Sequence, residues 1–252
     1  MKALEVLFTP AEFAALPERD LRDTVCVVFD ILRATSSMVT ALANGAAAVI
    51  PVPDIPEALA WRTRQPDVLL AGERNGVRIR AAQTGERDFD LGNSPREFTR
   101  SVVAGRTIVT TTTNGTRALR ACAGARRVLA GAFLNLTATA REALRADAAE
   151  LLLVCSGTHE QAAWEDTLAG GALAALVLQS GGEIQVSDSA QMAGELFQRH
   201  RGDLAGAMKF STNGRRLLAL PELCGDVPYC LRCDVYDFAA AMNAAGQVMK
   251  TG

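Results

Sequence analysis

Three things are scarce in this 252-residue chain: aromatic side chains, at 5%, histidine, with two, and any excess of one charge. Lys and Arg number 26 against 28 Asp and Glu, so the formal net charge of −2 leaves no basic footprint for nucleic acid. No apolar run approaches the roughly 20 residues that a membrane-spanning helix needs. The first eight residues, Met1 to Phe8, are too short and too acidic for a signal peptide and read as a first strand. A cytoplasmic location is therefore expected, where the six cysteines stay reduced rather than forming a disulfide framework.

Familiar motifs are missing as well. There is no Gly-Lys dipeptide, hence no Walker A loop, and no G-x-G-x-x-G, hence no standard dinucleotide fingerprint. No cysteine is followed by five residues and then Arg, so a thiol-phosphatase loop is absent. Asp88-Phe89-Asp90 has the letters of an aspartyl-phosphate D-x-D motif, but no apolar strand precedes it. Arg199-His200-Arg201-Gly202 matches a histidine-phosphatase Arg-His-Gly only with an insertion. These exclusions leave metal-assisted water attack as the simplest phosphatase chemistry.

What is present is 49% apolar, dominated by Ala, Leu, Val and Gly, the profile of a globular protein with a sizeable core. Apolar runs at 3–8, 24–30, 47–52, 68–71, 107–111, 127–132 and 151–155 predict strands. Several are continuous rather than alternating, as expected of central strands covered on both faces. Between them, 34–43, 55–64, 117–123 and 136–146 predict helices. The alternation predicts a three-layer α/β/α architecture with a largely parallel or mixed sheet. Beyond Thr158 the texture changes, and 162–179 and 189–201 predict two longer helices. The chain reads as one α/β catalytic unit over 1–252, with room for a closely joined second lobe beginning near 100–105. The apolar tail at 235–245 predicts a helix that packs either on the core or on a second copy of the chain, which leaves a homodimer open.

Ligands of open α/β sheets gather beyond the carboxyl ends of strands. The second strand delivers Asp30, Arg33, Thr35 and Ser36: a carboxylate, a guanidinium fork and two hydroxyls, or else a helix cap with an internal ion pair. The fourth delivers Glu73, Arg74, Asn75 and Gly76, where Asn-Gly predicts a hairpin with 77–80 as the return strand. The run Thr110 to Thr113 breaks into Asn114, Gly115 and Thr116 before a helix, which reads as an anion cradle or as an ordinary turn. Ser211-Thr212-Asn213-Gly214-Arg215-Arg216 echoes that turn, a match short enough for chance. Ser94-Pro95 predicts a helix start, with Asn93 beside it free to face a ligand.

Glu165 and Asp166 fall one turn inside an otherwise apolar helix, where an inward carboxylate needs a partner. A Mg²⁺ ion shared with Asp30 or Glu73 would provide one; an acid near a helix N-terminus is the blander explanation. Cys155 before Ser156-Gly157-Thr158-His159 reads as a thiol nucleophile beside a His, or as a small core residue. Cys230 and Cys233, with Cys224 nearby, have no histidine close in sequence to complete a four-ligand zinc site.

Asp30-x-Leu32-Arg33-Ala34-Thr35-Ser36, Gly72-Glu73-Arg74-Asn75-Gly76, Asp90-Leu91-Gly92-Asn93-Ser94-Pro95, Thr111 to Thr116 and Glu165-Asp166 occur in an order that resembles the 2-phosphosulfolactate phosphatases. The resemblance covers about residues 25 to 175 well and the tail less well. It implies a Mg²⁺-dependent hydrolase that converts 2-phosphosulfolactate to sulfolactate and phosphate, a step of coenzyme M biosynthesis in methanogens. The expected partner is then a small, multiply anionic phosphorylated substrate, with neither nucleic acid nor membrane involved.

On that basis the expected catalytic set is Asp30, Arg33, Glu165 and Asp166. The expected metal ligands come from Asp30, Glu73, Glu165 and Asp166, in a combination the sequence leaves open. Arg33, Thr35, Ser36, Thr112, Thr113, Asn114, Gly115 and Thr116 are expected on the phosphoryl oxygens. Arg74, Asn75 and Asn93 are expected on the sulfonate or carboxylate, and Glu73 and Ser94 are also expected among the substrate-binding residues. A Cys155-dependent hydrolase and a non-catalytic anion-binding α/β domain stand beside this reading.

Overall fold

A computed structural model describes residues 1–251. Among the described residues eleven strands are joined in one sheet. They are β1 (Ala3–Leu7), β2 (Thr24–Phe29), β3 (Ala48–Pro51), β4 (Leu69–Arg74), β5 (Val77–Arg78), β6 (Thr107–Thr111), β7 (Arg127–Gly131), β8 (Glu150–Cys155), β9 (Gln185–Val186), β10 (Ala240–Met242) and β11 (Val248–Lys250). Their order is β5-β4-β6-β3-β11-β10-β7-β2-β8-β1-β9. The sheet is mixed: β7, β2, β8, β1 and β9 form one parallel half, and β3, β6 and β4 another.

Every residue of β2 is buried, which is why its sequence is a continuous apolar run rather than an alternating one. Helices Leu136–Arg145, Trp164–Gln179 and Asp188–His200 cover one face of the β7-β2-β8-β1 half. Two helices serve both halves: Ala34–Ala43 packs on β7, β3 and β11, and Gly115–Ala121 packs on β2 and β3. A smaller apolar cluster, including Ile50, Leu70, Val109 and Phe89, sits beneath the Ile55–Arg64 helix. The result is the expected α/β/α layering. No helix among the described residues is long and apolar enough to cross a membrane.

The tail corrects one expectation. Residues 235–245 do not form a helix; β10 and β11 make a hairpin that fills the gap between β7 and β3 and pairs antiparallel with both. Asn243 closes the loop, its Oδ1 accepting the N–H groups of Ala245 and Gln247, each at 3.0 Å. Vacant ladder positions on two neighbouring strands override the helix propensity of an alanine-rich run, because each buried strand edge needs a partner. The stretch that left a second copy open is therefore internal to the sheet.

Traced through this hairpin, β3 and β7 run in opposite directions. The polar segments that follow β2, β4, β6 and β8 nevertheless meet at one place.

Candidate active site

The meeting point is a small, open cleft. Asp30, Arg33, Glu73, Asn75, Asn93, Thr113 and Asn114 line it, all of them expected from sequence. Gly157, Thr158 and His159 complete one wall, and Asn213 and Arg216 another.

Asp30 is the cleft's least committed acid. Its Oδ1 accepts the Ala34 N–H at 2.9 Å, and Oδ2 faces Gly115, the first residue of the Gly115–Ala121 helix. A Cβ on Gly115 would lie 2.5 Å from that Oδ2 and 2.7 Å from Ala34 Cβ, so only glycine lets the two helix starts close around this carboxyl. Desolvation in the floor of the cleft pushes Asp30 up to about 7. The charges of Glu73 and Glu165 add to the rise, while the Ala34 N–H and Arg33 oppose it.

The other three acids are spent on donors. Glu73 Oε1 accepts the N–H and the hydroxyl of Thr113, at 2.8 and 2.9 Å, and Oε2 accepts the Gly76 N–H at 2.6 Å. It thereby ties the β4–β5 hairpin to the turn after β6. Asp166 accepts the Ile31 N–H on Oδ1 at 2.8 Å and the Gly157 N–H on Oδ2 at 3.1 Å, which locks the ends of β2 and β8 side by side. Glu165 accepts the Ser211 hydroxyl at 2.6 Å. Burial raises both Glu165 and Asp166, and for Asp166 the charges of Glu165 and Asp30 raise it further. Neither Glu165 nor Asp166 lines the cleft; they form a buried acidic layer behind Asp30.

Arg33 reaches the cleft but does not pair with Asp30. Its Nη1 donates to Asp226 Oδ2 at 2.7 Å and its Nη2 to the Gly76 carbonyl at 2.7 Å. Asp226, fully buried, also accepts the Ser94 hydroxyl at 2.6 Å and Arg96 Nε at 2.7 Å. Ser94 stands at the N-cap position of a short 3₁₀ helix, Pro95–Glu97, with Pro95 opening it as expected, but its hydroxyl makes no cap bond and serves Asp226 instead.

Several expected ligand-binding groups instead build the walls. Thr35 Oγ1 bonds the Asp30 carbonyl at 3.0 Å, and Ser36 Oγ donates to the Ile31 carbonyl at 2.8 Å; both residues are fully buried. Thr112 and Thr116 bond each other, with the Thr116 N–H on Thr112 Oγ1 at 3.2 Å and the Thr116 hydroxyl on the Thr112 carbonyl at 3.2 Å. Arg74 turns back along the sheet to the Glu73 carbonyl at 2.7 Å and Thr111 Oγ1 at 3.1 Å. A hydroxyl one turn from a free carbonyl is bonded locally before any ligand arrives. Their polar groups face backbone rather than the cleft.

Asn114 caps the Gly115–Ala121 helix, and its amide donates to the carbonyls of Gly157 at 3.1 Å and His159 at 2.8 Å. It pins the turn after β6 to the loop after β8. The Asn75-Gly76 step forms the expected two-residue hairpin, with positive φ at both positions, 53° and 76°. Cys155, by contrast, is fully buried and lies outside the cleft; burial, and then the charge of Asp166, hold its thiol well above the ordinary range. That environment disfavours the thiolate a nucleophile needs and corrects the thiol reading.

Sequence reasoning missed Asp226, Asn213 and Arg216. For Asp226 there was no signal, since an isolated acid in a tail looks like surface. For Asn213 and Arg216 the signal was the echo of the Thr-Asn-Gly turn, set aside as chance. Asn213 Nδ2 donates to the Leu32 carbonyl, one residue before Arg33, so the second turn is seated on the site loop after β2.

Comparison with known proteins gives a consistent result. The family model described as 2-phosphosulpholactate phosphatase matches residues 11–244. A relative from Deinococcus radiodurans is 42% identical over 215 residues, 85% of each chain. One from Symbiobacterium thermophilum is 40% identical over 216 residues, 85% of this chain and 89% of its own. A third, from Caldicellulosiruptor saccharolyticus, is 34% identical over 235 residues, 92% of this chain and 94% of its own. All three carry the name "Probable 2-phosphosulfolactate phosphatase".

Proposed function

The chain belongs to the 2-phosphosulfolactate phosphatase family, a family of phosphoric monoester hydrolases, and from that premise we propose that its cleft hydrolyses 2-phosphosulfolactate to sulfolactate and phosphate with Mg²⁺. One observation carries the reading. Asp30 stands at the cleft with an oxygen uncommitted to any N–H donor and a proton affinity near neutrality, facing a site that also holds two arginines.

The donor chemistry suits magnesium. Four carboxylates, Asp30, Glu73, Glu165 and Asp166, crowd one region; burial raises Asp30, Glu165 and Asp166, and the charges of neighbouring acids add to the rise at Asp30 and Asp166. Among the described residues no three His, Cys, Asp or Glu side chains gather closely enough to form a ready-made metal cage. Mg²⁺ does not require one, because it keeps several waters and takes one or two carboxylates plus the substrate's own phosphate. Asp30 is the residue that would hold it, with the three spent acids supplying the surrounding negative field. When bound, the ion supplies charge neutralisation to the phosphoryl group and acidifies the attacking water.

The chain's own groups do the rest. Arg33, fixed at both ends of its guanidinium, presents a rigid cation that stabilises charge spreading over the phosphoryl oxygens. With Mg²⁺ bound, Asp30 would serve as its carboxylate ligand, giving up the proton that it holds near neutral pH without the ion. Glu73 and Asn114 do not touch the reaction but hold the strand ends in register, so that phosphate and acid meet in one geometry. The six free thiols support a cytoplasmic, reducing location as part of this proposal.

The test is phosphate release by the purified protein from 2-phosphosulfolactate and from simple phosphoesters, in Mg²⁺ and in EDTA. Release from 2-phosphosulfolactate that EDTA abolishes and Mg²⁺ restores is expected. Release that ignores EDTA, or no release from any ester, overturns the proposal.

A further inference from the structure

The cleft is lined by two arginines in unlike situations. Arg33 is 3% exposed and is held by a buried carboxylate, Asp226, which it shares with Arg96. Arg216 is exposed at the cleft and meets no carboxylate among the described residues; its partner is the neutral carbonyl of Asn75 at the hairpin tip. Gly76, next to that carbonyl, leaves space for it: a Cβ there would come 3.1 Å from Arg216 Nη2.

Arg216 is not a loose surface side chain. It sits on the Thr212–Leu218 helix, whose start is fastened to the site at two points. Ser211 Oγ donates to Glu165, and Asn213 Nδ2 donates to the Leu32 carbonyl. Residues three apart share a helix face, so anchoring Asn213 on the site loop places Arg216 over the cleft. Its neighbour Arg215 turns the other way, to the Lys209 carbonyl at 2.8 Å and Thr212 Oγ1 at 3.4 Å.

An unneutralised guanidinium above a cleft otherwise rich in carboxylates selects for negative charge on the ligand at that spot. Resting on the phosphatase reading of the cleft, we infer that Arg216 is a specificity-determining residue that binds the non-transferred oxyanion of a phosphorylated acid, its carboxylate or sulfonate, while Arg33 attends the phosphate. Arg216 exchanges its carbonyl partner for the oxyanion as substrate enters. The enzyme would then favour esters with a second anionic group over esters with none.

Steady-state kinetics on three substrates test this: 2-phosphosulfolactate, phospholactate (a carboxylate but no sulfonate) and 4-nitrophenyl phosphate (neither). Arg216→Gln should lower kcat/KM for 2-phosphosulfolactate roughly 10- to 150-fold, the effect of losing a hydrogen bond to a charged group, and mainly through KM. It should leave 4-nitrophenyl phosphate unaffected, and Arg215→Gln should change neither. Phospholactate shows which oxyanion is read: sensitivity equal to that of 2-phosphosulfolactate assigns the carboxylate, and insensitivity assigns the sulfonate. Equal losses on all three substrates would reduce Arg216 to a prop for the hairpin and overturn the inference alone, as would no loss on any. A wild-type protein that cleaves 4-nitrophenyl phosphate but neither phosphorylated acid overturns the inference together with the proposed substrate.

Discussion

Thr113-Asn114-Gly115 and Thr212-Asn213-Gly214 read alike, and each opens a seven-residue helix, Gly115–Ala121 and Thr212–Leu218. Their registers differ by two residues. In the first, Asn114 is the cap and Gly115 the first helical residue, so the glycine packs on Asp30 and the asparagine amide spans to the loop after β8. In the second, Ser211 is the cap, its Oγ accepting the Gly214 N–H at 2.7 Å, and the Asn-Gly pair lies inside the first turn. The first turn thereby becomes part of the cleft's fixed floor. The second becomes a bracket that carries Asn213 and Arg216 to its rim. Cap position, rather than the shared letters, decides which side chains stay free for a ligand.

The sharpest way to break this contrast is to add one methyl group to each glycine. Gly115→Ala should cost about 100-fold in kcat, the scale of an ångström-sized misplacement at a reacting centre, because the new Cβ would overlap Asp30 Oδ2 and Ala34 Cβ. Gly214→Ala should do much less, since its Cβ would meet Ser211 at 3.0 Å and Met208 Cβ at 3.2 Å, away from the reacting groups. Equal losses in the two variants, measured by phosphate release, would erase the distinction between floor and bracket.

The bracket is expected to matter for stability. Ser211→Ala removes both the cap of its helix and the donor to buried Glu165, a loss of about 2 kcal/mol in unfolding free energy. Chemical denaturation measures it, and a variant as stable as wild type would show that the turn is not fastened as described. Turnover on 4-nitrophenyl phosphate should fall far less than in Gly115→Ala.

A smaller effect sharpens the role of the acids beneath the floor. Asp30 moves from an ordinary 3.8 to about 7, and Glu165 and Asp166 are also raised. A carboxyl raised in the folded state binds its proton more tightly there than in the unfolded chain. Its contribution to stability is fully present below pH 3.8 and is lost as pH rises through 7. In EDTA the Tm should therefore be lower at pH 8 than at pH 5, and Mg²⁺ should raise it more at pH 8. A magnesium effect equal at both pH values would separate the ion from these carboxylates.

Most of the parallel framework was legible because its strands are buried on both faces and betray themselves as nearly unbroken apolar runs; Thr24–Phe29 and Glu150–Cys155 are examples. The Ala34–Ala43 and Ile55–Arg64 helices were legible by pattern and flanking turns. The β10–β11 hairpin was not. Three alanine-rich residues form a strand only because β7 and β3 leave a slot for them, and that slot is a property of the whole sheet. The cleft was legible as a set of strand ends, but not the division of labour within it. Nothing local distinguishes the Thr113 hydroxyl, which reaches Glu73, from the Thr112 hydroxyl, which is spent inside its own turn. Asp226 was invisible because its importance lies entirely in what Arg33, Arg96 and Ser94 donate to it.

The measurement that bears most directly on the floor and its acid is phosphate release from 2-phosphosulfolactate by Asp30→Asn in saturating Mg²⁺, with the unfolding midpoint recorded on the same sample. The account predicts loss of nearly all turnover in a protein at least as stable as wild type, since the replacement removes a partly buried charge that its neighbours repel. Turnover close to wild type in that variant would contradict it.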